Sequence, residues 1–173
     1  MSYKTEITKM MSSLAEQPNA LFLGQTVVYP GSILSDTLEG VPMSKRLELP
    51  VMEECQMGMS IGLALDGYLP ISIYPRIDFL LLAINHLSNH LDILKELSHG
   101  EFSAKVIIRT IVGSNEPFKS GPQHSRDHTT MLNTLLKNVR VVKLDKVEEV
   151  RVVYENALHF EGSTLVIEEA RLY

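Results

Sequence analysis

The residues best suited by type and spacing to do chemistry lie in the middle of this 173-residue chain. Glu53 stands three residues after Pro50 and opens a run to Gly67 that is otherwise almost all apolar or small: Met57, Gly58, Met59, Ser60, Ile61, Gly62, Leu63, Ala64 and Leu65. Pro50 stops the preceding segment, so a helix is expected to start just after it. So apolar a helix is expected to be buried. Gly58 and Gly62, four apart on one face, would let a neighbouring element approach closely. A carboxylate in the first turn then sits at the mouth of a core, where burial disfavours its charge and the helix dipole favours it. That combination marks Glu53 for proton chemistry, although the same residue would also serve simply to complement the dipole. Glu54 is the rival, one residue out of register. Further along, His124, Arg126 and His128 bring two imidazoles and a guanidinium together, suited to proton transfer or to an anionic ligand. His86 and His90 are four apart on an expected helix. No third ligand is evident, so a polar or subunit-facing surface is preferred to a metal site, and no metal is assigned. Cys55 has no histidine partner in the sequence and reads as a small buried residue.

The elements that must position these groups alternate between helix and strand. Ile7, Met10, Met11 and Leu14 mark one face of a first helix ending near Pro18-Asn19, and Ala20 to Leu23 reads as a short buried strand. Tyr29 to Ser32 is a turn, residues 33–45 are irregular with a short helical turn, and Arg46 to Leu49 reads as a strand. After the Glu53 helix come a strand from Leu69 to Tyr74 and a long helix from Asp78 to Leu97, capped by Asp78 and stopped at Gly100. Ala104 to Val112 is a β-branched strand, Gly113 to Gln123 a loop, and a helix capped by Ser125 or Asp127 runs to Lys137. A strand from Val139 to Leu144, a helix from Val147 to Leu158 and a strand from Ser163 to Glu168 complete the pattern. Several strands are apolar throughout, which predicts an α/β fold: a mostly parallel sheet with helices on both faces. Ligands of such folds bind beyond the carboxyl ends of the strands.

A length of 173 residues with 45% hydrophobic content suits one domain with a real core. A net charge of −5 without a basic block points away from nucleic acid and membrane surfaces. No run is apolar enough to span a bilayer, and the first residues lack a signal peptide's apolar core. One cysteine allows no internal disulfide and fits a reducing, cytoplasmic setting.

Three blocks resemble the pyrimidine-binding domain of thiamine diphosphate enzymes, most of all the E1 β subunit of 2-oxo acid dehydrogenases. The first is Leu49-Pro50-Val51-Met52-Glu53 with Gly58, Gly62 and Gly67, then Leu69-Pro70-Ile71. The second is Tyr74 to Phe79 followed by Ala83-Ile84-Asn85. The third is Gln123-His124-Ser125-Arg126-Asp127. Weaker echoes extend from Leu21 to Glu168, so the likeness covers nearly the whole chain. It implies that residues 1–173 form a single pyrimidine-binding domain. It further implies that Glu53 hydrogen-bonds the pyrimidine nitrogen of thiamine diphosphate and shares a proton with it, so that the cofactor can ionise its own thiazolium carbon. On the same likeness Phe79 packs on the pyrimidine ring, Tyr74 is a neighbouring aromatic, Val51 lines the pocket, and His124 stands near the reacting carbons. Arg76 and His128 are placed to hold an anionic substrate.

The chain also departs from that family. Gln25 replaces an acidic residue after Leu23-Gly24, Pro75-Arg76 replaces smaller or apolar residues, and the second domain of E1 β chains is not in this sequence. A Gly-Asp-Gly motif with a distant Asn, which would hold Mg2+ and the diphosphate, is also lacking. The resemblance therefore implies a separate diphosphate-binding, α-type partner chain in an α2β2 assembly. The expected reaction cleaves or forms a carbon–carbon bond next to a carbonyl of a small-molecule substrate, with decarboxylation of a 2-oxo acid preferred. A transketolase-type half-enzyme acting on sugar phosphates and a non-catalytic binding module are the alternatives.

Overall fold

The alternation of strand and helix is present in the computed structural model, which describes residues 2–114 and 121–173. Among the described residues six strands form one sheet: β1 (Ala20–Gly24), β2 (Arg46–Glu48), β3 (Leu69–Tyr74), β4 (Ile107–Val112), β5 (Arg140–Lys143) and β6 (Thr164–Glu169). Every neighbouring pair is parallel, in the order β2-β1-β3-β4-β6-β5. The helices are α1 (Tyr3–Ala15), α2 (Ile33–Asp36), α3 (Glu53–Leu65), α4 (Ile77–Leu80), α5 (Ile84–His86), α6 (Leu94–Leu97), α7 (Thr129–Leu135) and α8 (Val147–His159).

Two apolar layers sandwich the sheet because both of its faces are hydrophobic. On one side Ile7, Met11 and Leu14 of α1 and Val150 of α8 pack on Phe22, Ile71, Ile107 and Val166. On the other, Met57 and Ile61 of α3, with Leu80, Leu87 and Leu132, pack on Ile108, Leu165 and Ile167. Successive strand residues thus serve opposite layers, as the period of two requires. β3, β4 and β6 are buried along their whole length.

The expected long helix from Asp78 to Leu97 is instead a broken one. α4 passes through a 3-10 turn (Leu81–Ala83) into α5, then a π-helical turn (Leu87–Leu91), before α6. Arg76, not Asp78, occupies the N-cap position. The break has a tertiary cause. Asp92, buried just after the π turn, accepts hydrogen bonds from the backbone N–H of Lys137, Asn138 and Val139 at 2.7–3.1 Å. A regular helix would turn this carboxylate elsewhere. Two other elements are shorter than expected. β4 starts at Ile107 instead of Ala104, and α7 runs from Thr129 to Leu135, with Asp127 accepting the Thr129 N–H at 2.9 Å. Of the Gly113–Gln123 loop, residues 115–120 lie outside the described residues.

An ion pair lies inside the α1/α8 layer. Arg109 of β4 and Glu168 of β6 are both fully buried, joined at 2.6 Å through Nε and 3.0 Å through Nη2. The phenols of Tyr154 and Tyr173 also donate to Glu168. Burial, and next the charge of Glu168, push both phenols well above their ordinary range, so they remain donors. Glu168→Gln leaves the Arg109 charge buried without its counter-ion. The variant is expected to lose about 3–5 kcal/mol of stability in urea unfolding monitored by circular dichroism.

Candidate active site

Five chain segments meet beyond the carboxyl ends of the strands: the loop after β1, the first turn of α3, the turn after β3, the segment after β4, and residues 121–128. The loop after β1 is rigidly set. A Cβ on Gly24 would stand 2.2 Å from the Ile73 carbonyl oxygen, so only glycine allows β1 to end against β3 in this way. Glu48, the last residue of β2, then clamps the loop, accepting from Thr26 N at 2.6 Å, Val27 N at 2.8 Å and Val28 N at 2.7 Å.

Glu53 is the first residue of α3 and only 4% exposed. Its Oε1 accepts a hydrogen bond from Gln25 Nε2 at 3.1 Å. Among the described residues no cation pairs with it. Tyr74 lies beneath it, fully buried, and its phenol donates to the Glu53 backbone carbonyl at 3.3 Å. Burial pushes that phenol upward from its ordinary range. Tyr74 is therefore a core residue that supports the turn and not a ring open to a ligand. Glu54, the rival, turns outward: its side chain is 59% exposed, with an oxygen 3.3 Å from His86 Nδ1. Burial thus separates the two carboxylates, Glu53 inward and Glu54 outward.

Phe79, Arg76 and His124 come together. With Thr26, Ser32, Pro75 and Ile111 they line a cavity of about 510 Å³. The rings of Phe79 and His124 meet edge-to-face, with centroids 5.4 Å apart. His124 Nδ1 is buried without a hydrogen-bond partner among the described residues. Thr26 and Ser32, residues the sequence reading passed over, share a hydroxyl–hydroxyl contact of 2.8 Å on the same wall. Neither carries a motif that would have drawn attention to it. His124 is held from behind by Gly113, where a Cβ would fall 1.8 Å from the His124 carbonyl oxygen.

Other expected positions do not converge on this cavity. Glu53 lines an adjacent hollow, with Met52, Glu54, Cys55 and Leu82. Val51 is 74% exposed on the surface before α3 and lines neither space. His128 turns to Asp78, with Nε2 3.4 Å from Oδ1. Cys55 is exposed, not buried, because α3 is covered on one side only. Met59 and Leu65 of this helix are exposed as well, contrary to the expectation of full burial. Gly58 does admit a neighbour, since a Cβ there would stand 3.2 Å from the His86 ring, whereas Gly62 faces open space. The rings of His86 and His90 lie 5.0 Å apart, and among the described residues no group of three His, Cys, Asp or Glu is arranged to hold a metal ion.

Comparison with known proteins places this fold in a class. No family model matches the chain. In sequence it is 28% identical over 130 residues to the pyruvate dehydrogenase E1 component subunit beta of Cyanidium caldarium, covering 73% of this chain and 38% of that one. It is 25% identical over 170 residues to the chloroplastic subunit beta-3 of Oryza sativa subsp. japonica, covering 95% and 42%. The chain thus spans about four-tenths of the length of these curated relatives. In structure it matches a split-gene transketolase solved as an inactive β4 tetramer (TM-score 0.74, 18% identity, 98% of this chain and 51% of that one). It also matches transketolase from Campylobacter jejuni (TM-score 0.76, 14% identity, 96% and 25%). The fold is a transketolase-like α/β domain. Within that class, the sequence is similar to E1 β subunits, as the three blocks around Glu53, Phe79 and His124 imply.

The segment carrying His124 is tied down by Asp127, which accepts from Lys143 Nζ at 2.7 Å and from Thr129. Partial burial opposes its charge, but the bonds from Lys143 and Thr129 prevail and hold the carboxyl down to about 2, against an ordinary 3.8. A lowered folded-state value stabilises the fold above about pH 3.8, and that contribution is lost as the pH falls through about 2. Solvent screening keeps it modest. Asp127→Asn is expected to be less stable than the native chain at neutral pH and to converge with it near pH 2, read from urea midpoints across that range.

Proposed function

We propose that this chain is the β-type half of a two-chain thiamine diphosphate enzyme, with Glu53 as the acid that activates the cofactor. The observation that carries the proposal is the buried Glu53 carboxylate. It stands at the start of α3, beyond the strand ends, held among the described residues by one neutral donor and no cation. The residues present suit a flat, weakly basic heterocycle. Glu53 offers an oxygen able to exchange a proton with a ring nitrogen, Phe79 offers an aromatic edge and face, and His124 offers a buried, unpartnered nitrogen. When bound, thiamine diphosphate supplies a nucleophilic carbon and an electron sink for the bond broken next to the carbonyl. Glu53 holds the proton at the pyrimidine nitrogen, and His124 moves or stabilises charge near the substrate. Arg76, which has no carboxylate partner among the described residues, receives the substrate's anionic group. His128, already facing Asp78, supports this wall from behind.

Several features favour completion by a partner. Glu53 and Phe79 line separate hollows, and Val51, Met52, Met59 and Leu82 present apolar surface around the mouth of α3. A diphosphate-binding, α-type chain carrying Mg2+ would cover this face in an α2β2 assembly, Val51 included. The exposed Cys55 suits a reducing compartment, cytoplasmic or, as the chloroplastic names among the relatives allow, plastid.

The preferred reaction is decarboxylation of a 2-oxo acid, from the E1 β relatives. The Thr26–Ser32 hydroxyl pair beside Arg76 favours a second reading, transfer of a carbon unit between phosphorylated sugars, which the transketolase fold neighbours also support. Turnover of 2-oxo acids against sugar phosphates by the reconstituted pair separates the two.

In the reconstituted complex Glu53→Gln keeps its shape but cannot share a proton, so exchange of the thiazolium proton, followed by NMR, is expected to slow roughly 10²–10⁴-fold. Glu54→Gln is expected to change it little. Equal rates in both variants would reassign the acid. Leu82→Arg, at a 60% exposed position, is expected to alter stability by less than about 0.5 kcal/mol while weakening association with the diphosphate-binding chain in sedimentation.

A further inference from the structure

We infer that Gln25 is the positioning residue for Glu53: its amide fixes one carboxylate oxygen and, being neutral, sets no second carboxyl against it. The inference rests on Glu53 being the acid of the proposed site.

The geometry leaves Gln25 little freedom. It lies between Gly24, which no larger residue can replace, and Thr26, whose φ of 57° is rare for a residue with a side chain. Glu48 holds the next three backbone amides. The side chain leaves this fixed loop and reaches Glu53 Oε1 at 3.1 Å. Nitrogen must be the atom that faces the carboxylate, because the reverse orientation would set two acceptor oxygens against each other. A donor to one oxygen fixes the orientation of the carboxylate. Among the described residues no other side chain bonds to the carboxylate, so the second oxygen is left for a ligand.

The other titratable groups nearby are engaged elsewhere. Tyr74 donates to the Glu53 backbone carbonyl, Glu54 turns to His86, and Glu48 is taken up by backbone amides. A carboxylate in place of Gln25 would stand within hydrogen-bond reach of Glu53, and the pair would share one proton and lose it in two coupled steps. The amide removes that coupling.

The test is a pH titration of the full chain, without cofactor, by NMR of glutamate labelled with carbon-13 at the carboxyl carbon. The Glu53 signal is assigned by its absence in Glu53→Gln. Gln25→Met keeps the length of the side chain but not the donor, and its Glu53 midpoint is expected to rise by about one pH unit relative to the native chain. Gln25→Glu is expected to give two coupled steps in place of one. Thermal melts confirm that each variant is folded, and if Gln25→Glu is not, Gln25→Met decides alone. An unchanged midpoint in folded Gln25→Met overturns the inference, as does single-step titration in folded Gln25→Glu. Because no cofactor is present, this outcome is independent of the thiazolium exchange that tests the proposed reaction.

Discussion

The carboxamide of Gln56 joins α3 to the sheet where β1 and β3 end, and the candidate site depends on that junction. Its Nε2 donates to the Ile73 carbonyl at 3.0 Å and to Ser72 Oγ at 3.1 Å. One turn further on, Ser60 Oγ bonds Ser72 Oγ at 3.0 Å. An apolar interface would let the helix slide along the strands at small cost. A buried polar ladder does not, because a shift breaks the bonds that the Gln56 amide N–H groups and the Ser60 and Ser72 hydroxyls make. Glu53 lies three residues before Gln56 on the same face, so seating Gln56 also sets the height and direction of Glu53. Gly24 completes the junction, since a Cβ there would press on both the Ile73 carbonyl and the Gln56 amide.

Carboxylates hold the rest of the fold in place, and they differ from Glu53 in how fully they are used. Glu48 binds three backbone amides of the loop after β1. Asp92 binds three ahead of β5. Glu168 binds Arg109 and two phenols. In each the charge is met by several donors, which is what structural burial of a carboxylate requires. Glu53 has a single neutral donor among the described side chains, although it is as buried as Asp92 and more so than Glu48. That shortfall sets Glu53 apart from the carboxylates that fasten the structure.

The two sides of α3 divide the molecule's roles. The side facing the sheet carries Gln56, Met57, Ser60 and Ile61 and is closed. The outer side carries Cys55, Met59 and Gly62 and continues through Met52, Val51 and Leu82 as an open apolar surface. Glu53 sits at the boundary between them. Placed there, it is shielded by its own domain yet reachable by whatever covers the outer side.

Much of this was legible in the sequence. Alternating apolar segments specified the parallel sheet with helices on both faces, since the period of side-chain burial is a local property. Pro50 and the apolar run after it located the start of α3 and made Glu53 its first residue. The role of Gln56 and Ser60 as a buried ladder was not read there: Ser60 counted only as a small residue of α3. Tertiary contacts decided what remained. The helix after β3 breaks because Asp92 must reach a distant turn, which no local preference encodes. Tyr74 became a support under Glu53, and His128 turned to Asp78, because side-chain direction depends on what packs opposite. Which of Glu53 and Glu54 is buried was settled by the seat of α3 on the sheet. Adjacent residues on a helix point about 100° apart, and only the fold determines which of the two directions is inward.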